Sequence, residues 1–154
     1  MSYEIIATDE FQKTMNWKEL AITSHYQTAV AIQNELKQGH IEDSVIGIEE
    51  LINALSRSER RDLRSQLTRL MMHIIKWQIQ PTHRSRSWLI TIENARIEIE
   101  EILEEEPHLK PQLPKLWDKC FNAANRLAKK ETGIKPTLEE LTQKEVFQTE
   151  YFLD

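Results

Sequence analysis

An all-α fold, an antiparallel bundle of about five helices with a short C-terminal helix, is predicted by three features of the sequence. Apolar residues return every three or four positions through most of the chain, which gathers them on one side of a helix. Glycine (3) and proline (5) are too few in 154 residues to supply the turns that join many strands. Most of these residues also fall between the periodic segments, where helices have to stop.

The first helix is expected from about Asp9 to Gln38. Trp17, Leu20, Ser24, Thr28, Ala31 and Glu35 form one stripe, and Ile22, His25, Ala29, Ile32 and Leu36 an adjoining one, so the helix has a wide face. Gly39 supplies a left-handed stop, with Lys37 in the last turn favouring the negative end of the dipole. A second helix begins near Asp43 or Ser44 and carries Val45, Ile48, Leu51, Ile52 and Leu55 on one side. Ser56 and Glu59 have capping-box spacing, which predicts a break at Ser56 and a third helix over 57–79. Its stripe is Leu63, Leu67, Leu70, Ile74 and Trp77, and Pro81 ends it by lacking an N–H.

After the basic turn at 81–87, a fourth helix runs to about Glu106 with Trp88, Ile92, Ala95, Ile99 and Ile102 at alternating four- and three-residue steps. Arg96 and Glu100 stand at a supporting i,i+4 spacing. Pro107 ends this helix, and Pro111 and Pro114 fit the first turn of a fifth, where a missing N–H costs little. Leu113, Leu116, Trp117, Cys120, Ala124, Leu127 and Ala128 form its face, and Gly133 closes it. Thr137 with Glu140 is a second capping box, opening a short helix near Leu138–Lys144. One tryptophan falls in each of helices one, three, four and five, which reads as four anchors of a shared core.

Composition bounds the function classes. The length is that of one domain (1–154) able to bury a core without staples. One cysteine excludes a disulfide framework or a cysteine-based zinc finger and fits a reducing cytoplasm. No apolar run approaches the roughly 20 residues that span a bilayer, and the N-terminus lacks the pattern of a signal peptide. The net charge of −5 is strongly segregated. Residues 1–56 hold three Lys/Arg against nine Asp/Glu, 57–96 nine against three, and 97–154 eight against thirteen. A basic middle between acidic flanks implies either internal electrostatic matching or a basic external face.

Arg57-Ser58-Glu59-Arg60-Arg61, His73 with Lys76-Trp77-Gln78-Ile79-Gln80-Pro81, Arg84-Ser85-Arg86-Ser87-Trp88 and Thr91-Ile92 are more specific than any of these patterns. Together with Glu131-Thr132-Gly133, they resemble the core of a bacterial family frequent in cyanobacteria, the domain of unknown function 29. The likeness spans about residues 9–134 and is most specific over 57–92. Members of that family continue into a proline- and cysteine-containing segment, whereas Lys135-Pro136 here leads straight to Phe152-Leu153-Asp154, so 135–154 reads as a divergent tail. The resemblance implies a helical bundle and a cytoplasmic location, and no activity.

Several residues are candidates for chemistry, each beside a plainer use. Arg84, Ser85, Arg86 and Ser87 form the mouth of the fourth helix, where exposed amides, two arginines and two hydroxyls could hold a phosphate or carboxylate. The plainer use is a serine cap and arginines that lock the turn. Arg61 and Arg64, with Arg84 and Arg86, could follow a nucleic-acid backbone, yet no recognition motif is present and the acidic helices could pair these arginines. His73 and Glu50 are weak metal candidates, because His73 has no ligand partner on its own helix. Cys120 reads as a small buried hydrophobe. No nucleophile elbow or glycine-rich phosphate loop occurs, and no catalytic residue or cofactor is assigned. The expected role is therefore a non-enzymatic protein–protein contact, with self-association as a homodimer one form of it. A nucleic-acid-associated module is the runner-up and a metal or small-anion binder the third reading. No membrane partner is expected.

Overall fold

The computed structural model of the protein describes residues 15–154; the expected helix start at Asp9 and the N-terminal segment read for a signal peptide lie outside them. Among the described residues there are six α-helices and no strand. They are α1 (Trp17–Thr23), α2 (His25–Lys37), α3 (Ile41–Ile79), α4 (Arg86–Glu105), α5 (Gln112–Thr132) and α6 (Gln143–Phe147), with 3-10 turns at Pro81–His83 and Pro107–Leu109. The helical bundle expected from the apolar periodicity is the observed fold. No described helix is long and apolar enough to cross a membrane. The chain divides into two compact units, one ending at Ser58 and the other comprising Glu59–Asp154.

In the first unit the expected single helix over 9–38 is two. Ser24 adopts an extended backbone (φ −156°, ψ 114°) and its hydroxyl accepts the Gln27 N–H, so it stops α1 and caps α2. The apolar stripe runs through this position, which is why spacing alone missed the break. Helix α2 closes on Gly39 at φ 82°, with the His40 N–H on the Glu35 carbonyl and the Gly39 N–H on the Leu36 carbonyl. That paired arrangement satisfies the last free carbonyls and needs a residue comfortable in the left-handed region. Trp17, Ala21, Thr28, Ile32, Ser44 and Ala54 are buried. Gly47 lets α3 approach closely, since a Cβ there would stand 2.8 Å from Ile32 Cγ1 and 3.0 Å from the Trp17 ring.

Helix α3 runs unbroken from Ile41 to Ile79, so the break expected at Ser56 does not occur. A capping box works only on free backbone N–H groups, and inside a continuous helix Ser56 finds none. Glu59 instead accepts from His108 Nε2 at 3.0 Å, on a turn 49 residues further along the chain.

The second unit is built on the 63–77 stripe. Leu63, Leu67, Leu70, Met71, Ile74 and Ile75 are fully buried, clustered with Ile92, Ala95 and Ile99 of α4 and Cys120, Phe121, Ala124 and Ala128 of α5. Trp77, Trp88 and Trp117 belong to this cluster, whereas Trp17 is an anchor of the first unit. Gly133 closes α5 at φ 72°.

The capping box expected at Thr137/Glu140 forms instead at Thr142/Glu145 and opens α6. Both pairs satisfy the local rule; the second places Val146 fully buried in the core and Phe147 5.9 Å from the Trp117 ring. Trp117 donates its indole N–H to the Leu141 carbonyl at 2.9 Å, and Tyr151 meets Trp77 edge-on at 5.9 Å. Arg96, expected to pair with Glu100, clamps this tail. Its guanidinium donates to the carbonyls of Val146 (2.8 Å), Glu145 (3.2 Å) and Thr149 (2.8 Å) and lies over the Tyr151 ring.

Candidate functional site

In the first unit, Ile41, Val45, Ile48, Ile52 and Leu55 recur along α3 at steps of four, three, four and three residues. All five lie between 39% and 61% exposed. On a helix that spacing makes one narrow apolar seam of two heptads, the pattern that elsewhere buries itself against a second helix. In the second unit, the residues of α3 at similar spacing, Leu63, Leu67, Leu70, Ile74 and Trp77, are buried. Glu42 and Glu49, both exposed, flank the seam seven residues apart on one side. Neither Glu49 nor Glu50 makes an ion pair among the described residues.

The mouth of α4 is committed to the fold at two of its four positions. Ser85 Oγ accepts the Trp88 N–H at 3.3 Å and caps the helix. Arg84 donates from Nε to the Trp77 carbonyl at 2.8 Å and stacks 4.9 Å from that indole, tying the turn to the end of α3. Arg86 and Ser87 are exposed. Of the four arginines weighed for nucleic acid, Arg84 is thus occupied, Arg61 and Arg86 face solvent, and Arg64 is half-buried. The expected neutralisation of these arginines by acidic helices does not appear: among the described residues none of Arg57, Arg61, Arg64, Arg69 or Arg86 makes an ion pair.

Lys76, one of the nine cations of the basic middle, is not a surface cation. It is 8% exposed, 2.6 Å from the Glu131 carboxylate and 4.6 Å from the centre of the Trp88 ring. His73 sits at the core boundary, its Nδ1 3.0 Å from the Arg69 carbonyl, and burial holds its imidazole below the usual 6.5. The carboxylate and histidine clusters among the described residues are Glu35/His40/Asp43 and Glu59/Glu106/His108; neither contains His73 or Glu50. In each the histidine already pairs with a carboxylate, at 2.6 Å for His40 with Glu35 and 3.0 Å for His108 with Glu59. Cys120 is fully buried with its Sγ 3.6 Å from the Arg64 carbonyl, and burial pushes the thiol up, away from the thiolate a nucleophile needs.

One feature invisible in the sequence lies between α3 and α5 of the second unit, a groove of about 400 Å³. Arg64, Arg69 and Met72 line it from α3, and Lys119, Ala123 and Leu127 from α5. The two sets stand roughly a third of the chain's length apart, and only their fold brings the cations together.

No curated protein and no solved structure matches the chain. A family model, described as domain of unknown function DUF29, matches residues 26–154. The match reaches the last residue, and the tail packs on Trp77 and Trp117 through Tyr151 and Phe147. With five-sixths of its length covered by that model, the chain belongs to the DUF29 family.

Proposed function

We propose that this protein works by docking on another polypeptide rather than by catalysis, and that the α3 seam is the docking surface. The observation that carries the reading is the seam itself: five large aliphatic side chains at 4-3 spacing, all exposed, on one face of one helix. Burying such side chains yields about 1.5–3 kcal/mol each, a gain forgone while they face water. Contiguous exposed apolar surface of this kind marks interaction sites in soluble proteins. The occupied histidines and the inert cysteine point the same way, since each is already used by the fold. A reducing, cytoplasmic setting fits the one buried free cysteine.

The test compares the native chain with Ile48→Asp/Ile52→Asp by light scattering over a concentration series and by binding of a dye that fluoresces on apolar surface. Self-association or dye binding in the native chain, lost in the variant with helicity unchanged, is the expected result. A native monomer that binds no dye contradicts the proposal.

A further inference from the structure

The groove between α3 and α5 is a second surface, and it differs from the seam in charge. Arg64, Arg69 and Lys119 line it, and Arg126 and Lys130 follow on α5, where they line the adjoining hollow with Ala123 and Leu127. None of these five cations makes an ion pair among the described residues. Unmatched cations at this density repel one another, and an anionic partner relieves that repulsion.

The partner must also suit the apolar lining. Met72, Ala123 and Leu127 face the groove, and Leu127 is 47% exposed. A nucleic-acid strand gains little from aliphatic side chains; its bases stack on aromatic ones, and among the described residues no aromatic side chain lines the groove. An amphipathic helix gains from both elements, laying its apolar stripe on the aliphatic lining while acidic flanks meet the cations. Ala123 and Ser65, small residues at the lining, leave room for a helix to approach.

We infer that the groove between α3 and α5 binds an acidic amphipathic helix of a partner protein. Leu127 and Met72 receive its apolar stripe, and Arg64, Arg69 and Lys119 pair with its flanking carboxylates. The surface is separate from the α3 seam, so it stands or falls independently of the proposed function.

The test is fluorescence anisotropy with a labelled synthetic helix of about four turns, leucines on one stripe and glutamates on its flanks. The same helix with lysines for glutamates and a labelled single-stranded oligonucleotide serve as competitors for the interpretation. Saturable binding of the acidic helix is expected, with at least about tenfold loss of affinity in Arg69→Glu/Lys119→Glu. A comparable loss is expected in Leu127→Ser, which leaves every charge in place, while Ile48→Asp/Ile52→Asp changes nothing. All substituted groove residues are exposed, and matching thermal melts confirm that the variants fold. Failure of the acidic helix to saturate overturns the inference, as does binding indifferent to Leu127→Ser, which reports charge attraction alone. Tighter binding of the oligonucleotide, lost in Arg69→Glu/Lys119→Glu, overturns it in favour of a nucleic-acid surface.

Discussion

Arg96→Ala should release the C-terminal tail while leaving the rest of the second unit folded. Three guanidinium hydrogen bonds, at 2.8, 3.2 and 2.8 Å, end on the carbonyls of Val146, Glu145 and Thr149, just where α6 stops and its carbonyls lack helical partners. Bonds from a charged donor contribute about 1.5–3 kcal/mol each when buried. Arg96 is only half-buried, so water replaces part of what is lost, and the expected cost is about 2–4 kcal/mol in place of the full sum. A five-residue helix has no stability of its own to set against that loss. Undocking takes Tyr151 from Trp77, and Phe147 and the Leu141 carbonyl from Trp117. Amide exchange over 143–151 should therefore quicken by orders of magnitude, and tryptophan emission should shift to the red before the main urea transition. Arg96→Lys keeps the charge but loses the fork that reaches three carbonyls, and should recover less than half of the stability. A change below about 0.5 kcal/mol with unaltered exchange over 143–151 would refute the clamp.

Gly47→Ala should destabilise the first unit by about 1–3 kcal/mol in urea melts, because the new methyl meets Ile32 and Trp17; the gain of about 1 kcal/mol in helix propensity is outweighed. A stabilised Gly47→Ala protein would show that the α3 approach is looser than described. Lys76→Met should fall within about 1 kcal/mol of the native chain, since it removes a buried charge and keeps the volume. Glu131→Ala, which strands that charge, should cost about 1–2 kcal/mol; the reverse order contradicts the pairing. For His73, burial disfavours the protonated form, so the unfolded chain binds the proton more readily than the folded one. Its contribution is full above 6.5, declines as pH falls through that value and is wholly lost below the lowered folded value. Urea midpoints from about pH 8 to about pH 5 should carry this slope, and His73→Gln should flatten it.

What was legible in the sequence was what local chemistry decides. Gly39 and Gly133 end helices because each takes a positive φ, and Pro81 and Pro107 begin the turns that follow α3 and α4. Capping serines and threonines were less readable, because the same signature occurs with and without a helix start. Ser24 caps a helix in the middle of an apolar stripe, Ser56 caps nothing, and Thr142 is preferred to Thr137 because its helix delivers Val146 to the core. Arg96 could not be read at all, since its partners lie about fifty residues away. The same holds for the sites. Arg84 was named for a ligand and is taken by Trp77, while Arg69 and Lys119 form a groove only because α3 and α5 meet. The α3 apolar side chains were visible from spacing, and only the structure shows that they are left uncovered.

A photo-reactive phenylalanine analogue placed at position 48 in the living cell would trap whatever covers the α3 seam. Position 104, exposed on α4, serves as the control. If the seam is an interface, a discrete cross-linked species forms at position 48, either a dimer of this chain or an adduct with one defined protein, and none at position 104. Equal, diffuse labelling at both positions, or none at position 48, would contradict that reading.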